Sequence, residues 1–339
     1  MSVPPPPVAP GSGTASTGQA VQVQQLRLIV PTHLLAEVLT RLRGASGVAH
    51  LVHVPGAASE PPGELVFCDV ARESVNAVVE ELQRLGVHHH GAIIVESLDT
   101  VVSDAAASAE SRAPGHGADA LVWEALESNA RLDATLTPSF LIFMSVAATI
   151  AAIGILLDAP ILVVGAMVVG PEYGPLAALC VAIVRRRSAA FREAATTLSV
   201  GLAVAAVASL VATVAFRLTE IGPDDYELGA RQLTAFISHP DGMAAVVAVL
   251  AGVVGMLALT QARSGTLIGV LVSVTTIPAV GNIGAATAYG EWSEVGGAAL
   301  QLAINVAGLV VAGTVTIVVQ ARVTGAEPAS TSARPAGGR

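Results

Sequence analysis

Charged residues are scarce in this sequence of 339 residues, making up 13% of it, against about 25% in an average soluble protein. Hydrophobic residues make up 53%, and most of them lie after position 138. This composition excludes a wholly soluble protein. It predicts a soluble N-terminal segment followed by an α-helical integral membrane segment in contact with the lipid bilayer.

Lysine is absent, and cysteine is nearly so. All 17 basic residues are arginine, and the formal net charge is −9. The negative charge and the lack of a basic patch in the soluble segment argue against nucleic-acid binding. Cys68 and Cys180 fall in different halves of the chain, so we expect no disulfide framework.

Catalytic and metal-binding motifs are also absent. The sequence has no CxxC, no glycine-rich phosphate loop, no HExxH and no Ser/His/Asp set, so we expect neither an enzyme nor a cofactor. His88, His89 and His90 are consecutive, and consecutive strand side chains point to alternate faces. We therefore interpret them as a solvated turn rather than a metal site, and we interpret His50 and His53 in the same way.

The two ends of the chain are low in complexity. The opening residues, MSVPPPPVAPGSGTASTGQA, lack the basic and apolar regions of a cleaved signal peptide. Residues 1–23 and 323–339 are therefore predicted to be disordered tails.

The soluble segment, residues 24–100, alternates between strand and helix periodicity. Strands are predicted at 26–30, 47–54, 64–70 and 91–97, and helices at 33–43 and 73–86. The order βαββαβ is typical of an α+β ferredoxin-like domain. Residues 101–118 are predicted to be a linker. Residues 119–137 are predicted to form a juxtamembrane amphipathic helix, which either lies along the membrane surface or caps the soluble domain.

Six apolar runs within residues 138–322 predict six transmembrane helices, because each is close to the roughly 20 residues that cross a bilayer. These runs are 139–157, 161–184, 195–216, 243–260, 265–288 and 296–320. Seven arginines lie near span ends on the side of the N-terminus: Arg131, Arg185, Arg186, Arg187, Arg192, Arg263 and Arg322. Only Arg217 and Arg231 lie on the other side, so we expect a multi-pass protein of the bacterial plasma membrane with both termini in the cytoplasm.

The second span is interrupted in its middle third. Two prolines there, Pro171 and Pro175, lack backbone donors, and Gly170 and Gly174 stand beside them. Non-helical backbone in the middle of a membrane is tolerated only where protein or a water-filled cavity satisfies it. Glu172 adds an ionisable group at the same depth.

The fifth span has a similar interruption at Pro278 and Gly281. These two spans are the middle members of the first and last three, which predicts a 3+3 inverted repeat with one broken helix in each half. Such pairs of breaks point to a midplane solute or ion site. The candidate lining residues are Glu172, Tyr173, Thr275, Thr276 and Asn282.

A structural role for Glu172 is also open, since a protonated carboxyl can bond to Asn282 or to a freed backbone amide. Asn305 is interpreted as a hydrogen-bonding contact between helices. Small residues such as Gly201, Gly252 and Gly308 predict close helix packing, within a protomer or between the protomers of an expected homo-oligomer.

Two long motifs resemble a known family: ILLDAPILVVGAMVVGPEYGPLAALCVAIVRRR at 155–187 and SVTTIPAVGNIGAATAYGEWSEVGGAALQLAIN at 273–305. They are similar to the bacterial and archaeal hydrophobic-domain family named domain of unknown function three-eight-nine, and the resemblance extends from Gln24 to about Gln320. Many relatives carry a small polar residue or a Met-Gly-Pro run at Gly170, Pro171 and Glu172. The resemblance implies the membrane architecture and no particular activity.

We therefore expect a transporter or channel for an unknown small solute or ion. The alternative is a membrane-anchored sensor or scaffold whose soluble domain binds a small ligand.

Overall fold

The computed structural model describes residues 23–98, 101–113, 121–223, 233–234, 237–238, 242–260 and 276–324. The chain divides into two compact units. The first comprises Met1–Ser74 with Val78–Ala113, and the second comprises Val75–Ala77 with Pro114–Arg339.

A four-stranded antiparallel sheet forms the N-terminal unit, with the strands in the order β2-β3-β1-β4. The strands are β1 (Val23–Val30), β2 (Val48–Ser59), β3 (Pro62–Ala71) and β4 (Ala92–Ser97). The helices between them are α1 (Leu35–Gly44), α2 (Val75–Arg84) and the single turn α3 (Val87–His90). The predicted strands and helices of this segment overlap these elements closely.

Alternation along β1 sets the core of this sheet. Leu26, Leu28 and Val30 are fully buried, while Arg27 between them is exposed and pairs with Glu96 of β4 at 3.0 Å. This period of two is the pattern of a strand with one face on the core.

A further helix, α4 (Asp104–Arg112), lies within the segment predicted to be a linker. Its N-cap is Ser103, whose Oγ accepts a hydrogen bond from the amide of Ala106 at 3.3 Å. Ala106 and Ala109 are buried, and α4 packs against β2 and β3. The alanine and serine content suggested a linker because it gives weak apolar periodicity, yet alanine favours helix and its small side chain fits against the sheet.

The C-terminal unit is helical in its described part. Its helices are α5 (Trp123–Asp133), α6 (Pro138–Leu156), α7 (Pro160–Val169), α8 (Tyr173–Val184), α9 (Ser188–Leu218), α10 (Gly242–Thr260), α11 (Ile277–Tyr289) and α12 (Trp292–Val323).

Four of these helices, α6, α9, α10 and α12, are long and apolar enough to cross a membrane. The pair α7 and α8 makes a fifth crossing if the two count as one bent span. The prediction of a membrane protein with several transmembrane helices is thus supported. Of the predicted span 265–288, residues 265–275 lie outside the described residues, so a total of six spans stays a prediction.

Glycines bring these helices close together, as the small residues predicted. A Cβ on Gly252 of α10 would lie 2.8 Å from the carbonyl oxygen of Leu309 in α12. A Cβ on Gly201 of α9 would lie 2.6 Å from the Phe140 ring of α6. These contacts lie within one protomer.

Candidate functional site

The second apolar run is broken at Gly170, Pro171 and Glu172, where α7 ends and α8 begins at an angle that bends the pair by 56°. Pro175 lies in the first turn of α8, where its missing amide donor would have no helical partner in any case. Gly174 and Pro175 were predicted to belong to the break, and they lie inside α8 instead. The interruption therefore spans three residues.

The carboxyl group of Glu172 is fully buried and is bonded to the start of α11. The hydroxyl of Thr276, the N-cap residue of α11, donates a hydrogen bond to Glu172 Oε1 at 2.6 Å. Thr276 is also fully buried. Glu172 and Thr276 are 104 positions apart in the sequence, and their hydrogen bond joins the predicted interruption of the second span to that of the fifth.

Gly170 makes this approach possible. A Cβ at Gly170 would overlap the Glu172 carboxyl group and would lie 2.6 Å from Cγ1 of Ile277. Carbon atoms pack best at about 3.5–4.0 Å, so any larger side chain would push the break away from α11.

The side chain of Tyr173 is hydrogen-bonded to α10, whereas that of Glu172 is hydrogen-bonded to the start of α11. The Tyr173 hydroxyl donates a hydrogen bond of 2.6 Å to the carbonyl oxygen of Gly255 in α10. The sequence offered no signal for this partner, because both the tyrosine and the carbonyl lie in apolar runs and their pairing depends on how α8 meets α10. The bond links the start of α8 to α10.

The remaining predicted residues lie on or before α11. Asn282 is buried in α11, and Pro278 lies in its first turn. Gly281 was predicted to interrupt a helix, but it lies inside α11, where a Cβ would be 2.8 Å from Ala151 Cβ of α6. Its carbonyl oxygen accepts a hydrogen bond of 2.8 Å from Ser209. Thr275 lies outside the described residues.

The polar helix α5 runs beside α8 in the opposite direction. Its last residue, Asp133, touches Gly174 at the start of α8, whereas Trp123 at its beginning lies under the Arg185 guanidinium that follows α8, at 5.2 Å. Trp123, Leu126 and the apolar residues of α8 share one buried cluster. Burial raises the pKa of the Asp133 carboxyl above its ordinary value.

Two histidines of the N-terminal unit, His50 and His53, contact acidic side chains. His50 Nδ1 lies 2.6 Å from Asp69 Oδ2, and its Nε2 lies 2.7 Å from Ser103 Oγ. His53 Nε2 lies 3.0 Å from a carboxylate oxygen of Glu64. Among the described residues, no group of three or more His, Cys, Asp or Glu side chains is placed to hold a metal ion.

Residues 167–311 match the sequence model of a family described as domain of unknown function (DUF389). The matched segment begins just before the break at Gly170 and ends within α12. No curated protein and no solved structure matches the chain significantly. Residues 167–311 are thus similar to the same family that the two sequence motifs suggested.

Proposed function

We propose that the protein is a transporter or channel for a small solute or ion, with its binding site where the break between α7 and α8 meets the start of α11. The observation that carries this proposal is the hydrogen bond from Thr276 to the fully buried carboxyl of Glu172. Discontinuous helices that meet at a polar contact inside the membrane are typical of substrate and ion sites in transporters.

The chemistry of Glu172 favours a proton or a small cation as the species bound. An ionised carboxylate far from water has a high free energy unless a proton or a cation neutralises it. The hydroxyl of Thr276 and backbone carbonyls at a helix break are suitable oxygen ligands for a small cation. The close packing at Gly170 leaves little room for a large solute in this conformation.

The proposed architecture is a 3+3 inverted repeat of six spans. The first and last helices of the two halves agree in length: α6 and α10 have 19 residues each, and α9 and α12 have 31 and 32. Both α8 and α11 pack against α9 and α12. Each half-helix thus contacts the long helix of its own half and that of the other half, which supports a pseudo-two-fold relation between the halves.

We propose that water reaches the break along α5, from the side of the membrane that holds the N-terminus. This helix carries four charged side chains in 11 residues, Glu124, Glu127, Arg131 and Asp133. Charged side chains avoid lipid, so the polar face of α5 favours contact with water. Because the end of α5 lies against Gly174, water along α5 would approach within two residues of Glu172.

The remaining features of the proposal concern topology and assembly. The βαββαβ order and the strand order β2-β3-β1-β4 support a ferredoxin-like domain for the N-terminal unit. The arginine distribution supports a bacterial plasma-membrane protein with this domain and both termini in the cytoplasm. Many exposed apolar side chains on α9, α10 and α12 are available for lipid and for the contacts of a homo-oligomer.

A membrane-anchored sensor or scaffold is the second candidate. It is favoured by the separate compact N-terminal unit, whose sheet has its own buried core. A module of this kind can bind a small ligand without a path through the membrane.

The deciding experiment compares ion fluxes in proteoliposomes. Purified full-length protein is reconstituted, and proton, Na⁺ and K⁺ fluxes are followed with trapped indicator dyes under an imposed gradient. We expect wild-type protein to carry at least one of these ions and Glu172→Gln to lose most of that flux, because the amide cannot exchange a proton or balance a cation.

Glu294→Gln is the matched control, since Glu294 is a buried glutamate of α12 away from the break. It should retain the flux. Absence of flux for all three ions, or equal flux in wild type and Glu172→Gln, would contradict the proposal and favour the sensor.

A further inference from the structure

A large cavity opens at the C-terminal end of α8, the end opposite the break. Its volume is about 1120 Å³, and residues of α5, α8, α9 and α12 line it. Five arginines and two glutamates contribute to the lining: Arg131, Arg185, Arg186, Arg187, Arg322, Glu127 and Glu193. The cavity therefore carries a surplus of positive charge in a protein whose net charge is −9.

The acidic residues neutralise only part of this charge. Glu127 lies 3.5 Å from a guanidinium nitrogen of Arg185 and 3.5 Å from one of Arg187. Within the described part of the chain, the guanidinium groups of Arg131, Arg186 and Arg322 have no carboxylate within 4 Å. These three side chains are exposed and free to turn toward a ligand.

Membrane topology alone explains arginines at this end of the spans, but not their convergence. The positive-inside rule requires only a surplus of basic residues near the cytoplasmic ends. Here Arg131 comes from α5, Arg186 from the turn between α8 and α9, and Arg322 from the end of α12, and all three line one concavity.

Two other properties of the lining suit an anion attached to an organic group. The first residues of α9, including Ser188 and Ala189, lie in the wall, and no side chain of the described residues caps this helix. Its free amides and its dipole add partial positive charge. Apolar side chains, among them Val181 and Val318, line other parts of the wall.

We propose that this cavity binds a phosphate-bearing anion. Several guanidinium groups around one space match the charge and the multiple acceptor oxygens of a phosphate, because each planar fork can bind two oxygens. The volume exceeds that of a simple ion and falls near the upper end of organic ligand pockets, about 300–1,000 Å³. Two sources share this chemistry, the headgroup of an anionic phospholipid and a water-soluble phosphate compound.

The test uses full-length protein and separates the two sources. In the first arm, protein in a neutral detergent is titrated with inorganic pyrophosphate by calorimetry. In the second arm, protein in phosphatidylcholine nanodiscs is compared with protein in nanodiscs that also contain phosphatidylglycerol, and the retention of phosphatidylglycerol is measured by lipid mass spectrometry after repurification. Binding in either arm supports the proposal and identifies the source.

Variants show whether the cavity is the site. Arg186→Gln and Arg322→Gln should each raise the dissociation constant for pyrophosphate, or reduce lipid retention, about tenfold, as expected for the loss of one charge-assisted contact. Arg192→Gln removes the same charge from the same end of α9, but Arg192 does not line the cavity; it lines an adjoining hollow of about 540 Å³. It should change binding less than about threefold, since it removes only a long-range, screened attraction.

An unchanged melting temperature without ligand shows that each variant folds. If Arg322→Gln does not fold, Arg186→Gln decides, because Arg186 is an exposed turn residue. No binding in either arm, or equal losses in Arg192→Gln and the two cavity variants, would overturn the proposal. Flux through the break is not part of this test, so its result is independent of the transport proposal.

Discussion

Replacing Gly170 by alanine should destabilise the C-terminal unit. The new Cβ would overlap the Glu172 carboxyl and would lie 2.6 and 2.9 Å from Cγ1 and Cδ1 of Ile277. Relief requires these neighbours to move by about 1 Å to reach ordinary carbon contact distances. Overpacking of this kind in a well-packed interior lowers the free energy of unfolding by about 1–3 kcal/mol.

Gly165 provides a matched control within α7. A Cβ there would meet no heavy atom within 4 Å. Gly165→Ala should therefore be neutral or stabilise the helix by about 0.5–1 kcal/mol, because alanine loses less backbone entropy than glycine on forming a helix. The measurement is unfolding of purified protein in mixed micelles with increasing SDS. Equal stability of the two variants would refute the close contact of the break with Glu172 and Ile277.

Two further predictions concern side chains away from Gly170. Tyr173→Phe should lower the free energy of unfolding in the same SDS titration by about 0.5–1.5 kcal/mol, because the 2.6 Å bond is lost while the Gly255 carbonyl stays within α10. Wild-type stability would contradict this bond. Burial, with a smaller contribution from the Asp69 charge, raises the pKa of the Cys68 thiol to about 12. Cys68 should therefore resist maleimide at pH 8 in folded protein and react after denaturation, as followed by mass spectrometry of the labelled peptide. Rapid labelling of folded protein would contradict this burial. Because the pKa of the Cys68 thiol is higher in the folded than in the unfolded state, its contribution to stability should be complete below about pH 9 and decline as the pH rises toward 12.

Local periodicity predicted much of the secondary structure. The run predicted as a span at 139–157 is α6 at Pro138–Leu156, and Pro138 lies in its first turn as proline position suggested. Gly170, Pro171 and Glu172 were also recognised as a break, because they combine a helix breaker with a charge inside an apolar run. Such signals depend on neighbouring residues only.

Contacts between distant residues were not predictable in the same way. The sequence indicated Glu172 and Thr276 as candidates, but their hydrogen bond depends on the relative placement of α8 and α11. The partner of Tyr173 and the fit of α4 against the sheet depend similarly on packing. Gly281 and Pro175 were predicted to interrupt helices because glycine and proline break helices in water. In the structure, Gly281 packs closely against α6 inside α11, and Pro175 lies in the first turn of α8.

The most direct test of the central claim, that the two interruptions form one transport site, is a double-mutant cycle of ion flux. Flux in proteoliposomes is measured for wild type, Glu172→Gln, Thr276→Val and the double variant. Thr287→Val is the control, because the Thr287 hydroxyl bonds to the Ile283 carbonyl within α11. If Glu172 and Thr276 act together, each single variant reduces flux, the double variant is no worse than the more impaired single variant, and Thr287→Val retains flux. Independent, multiplying losses, or full flux in Thr276→Val, would contradict a shared site.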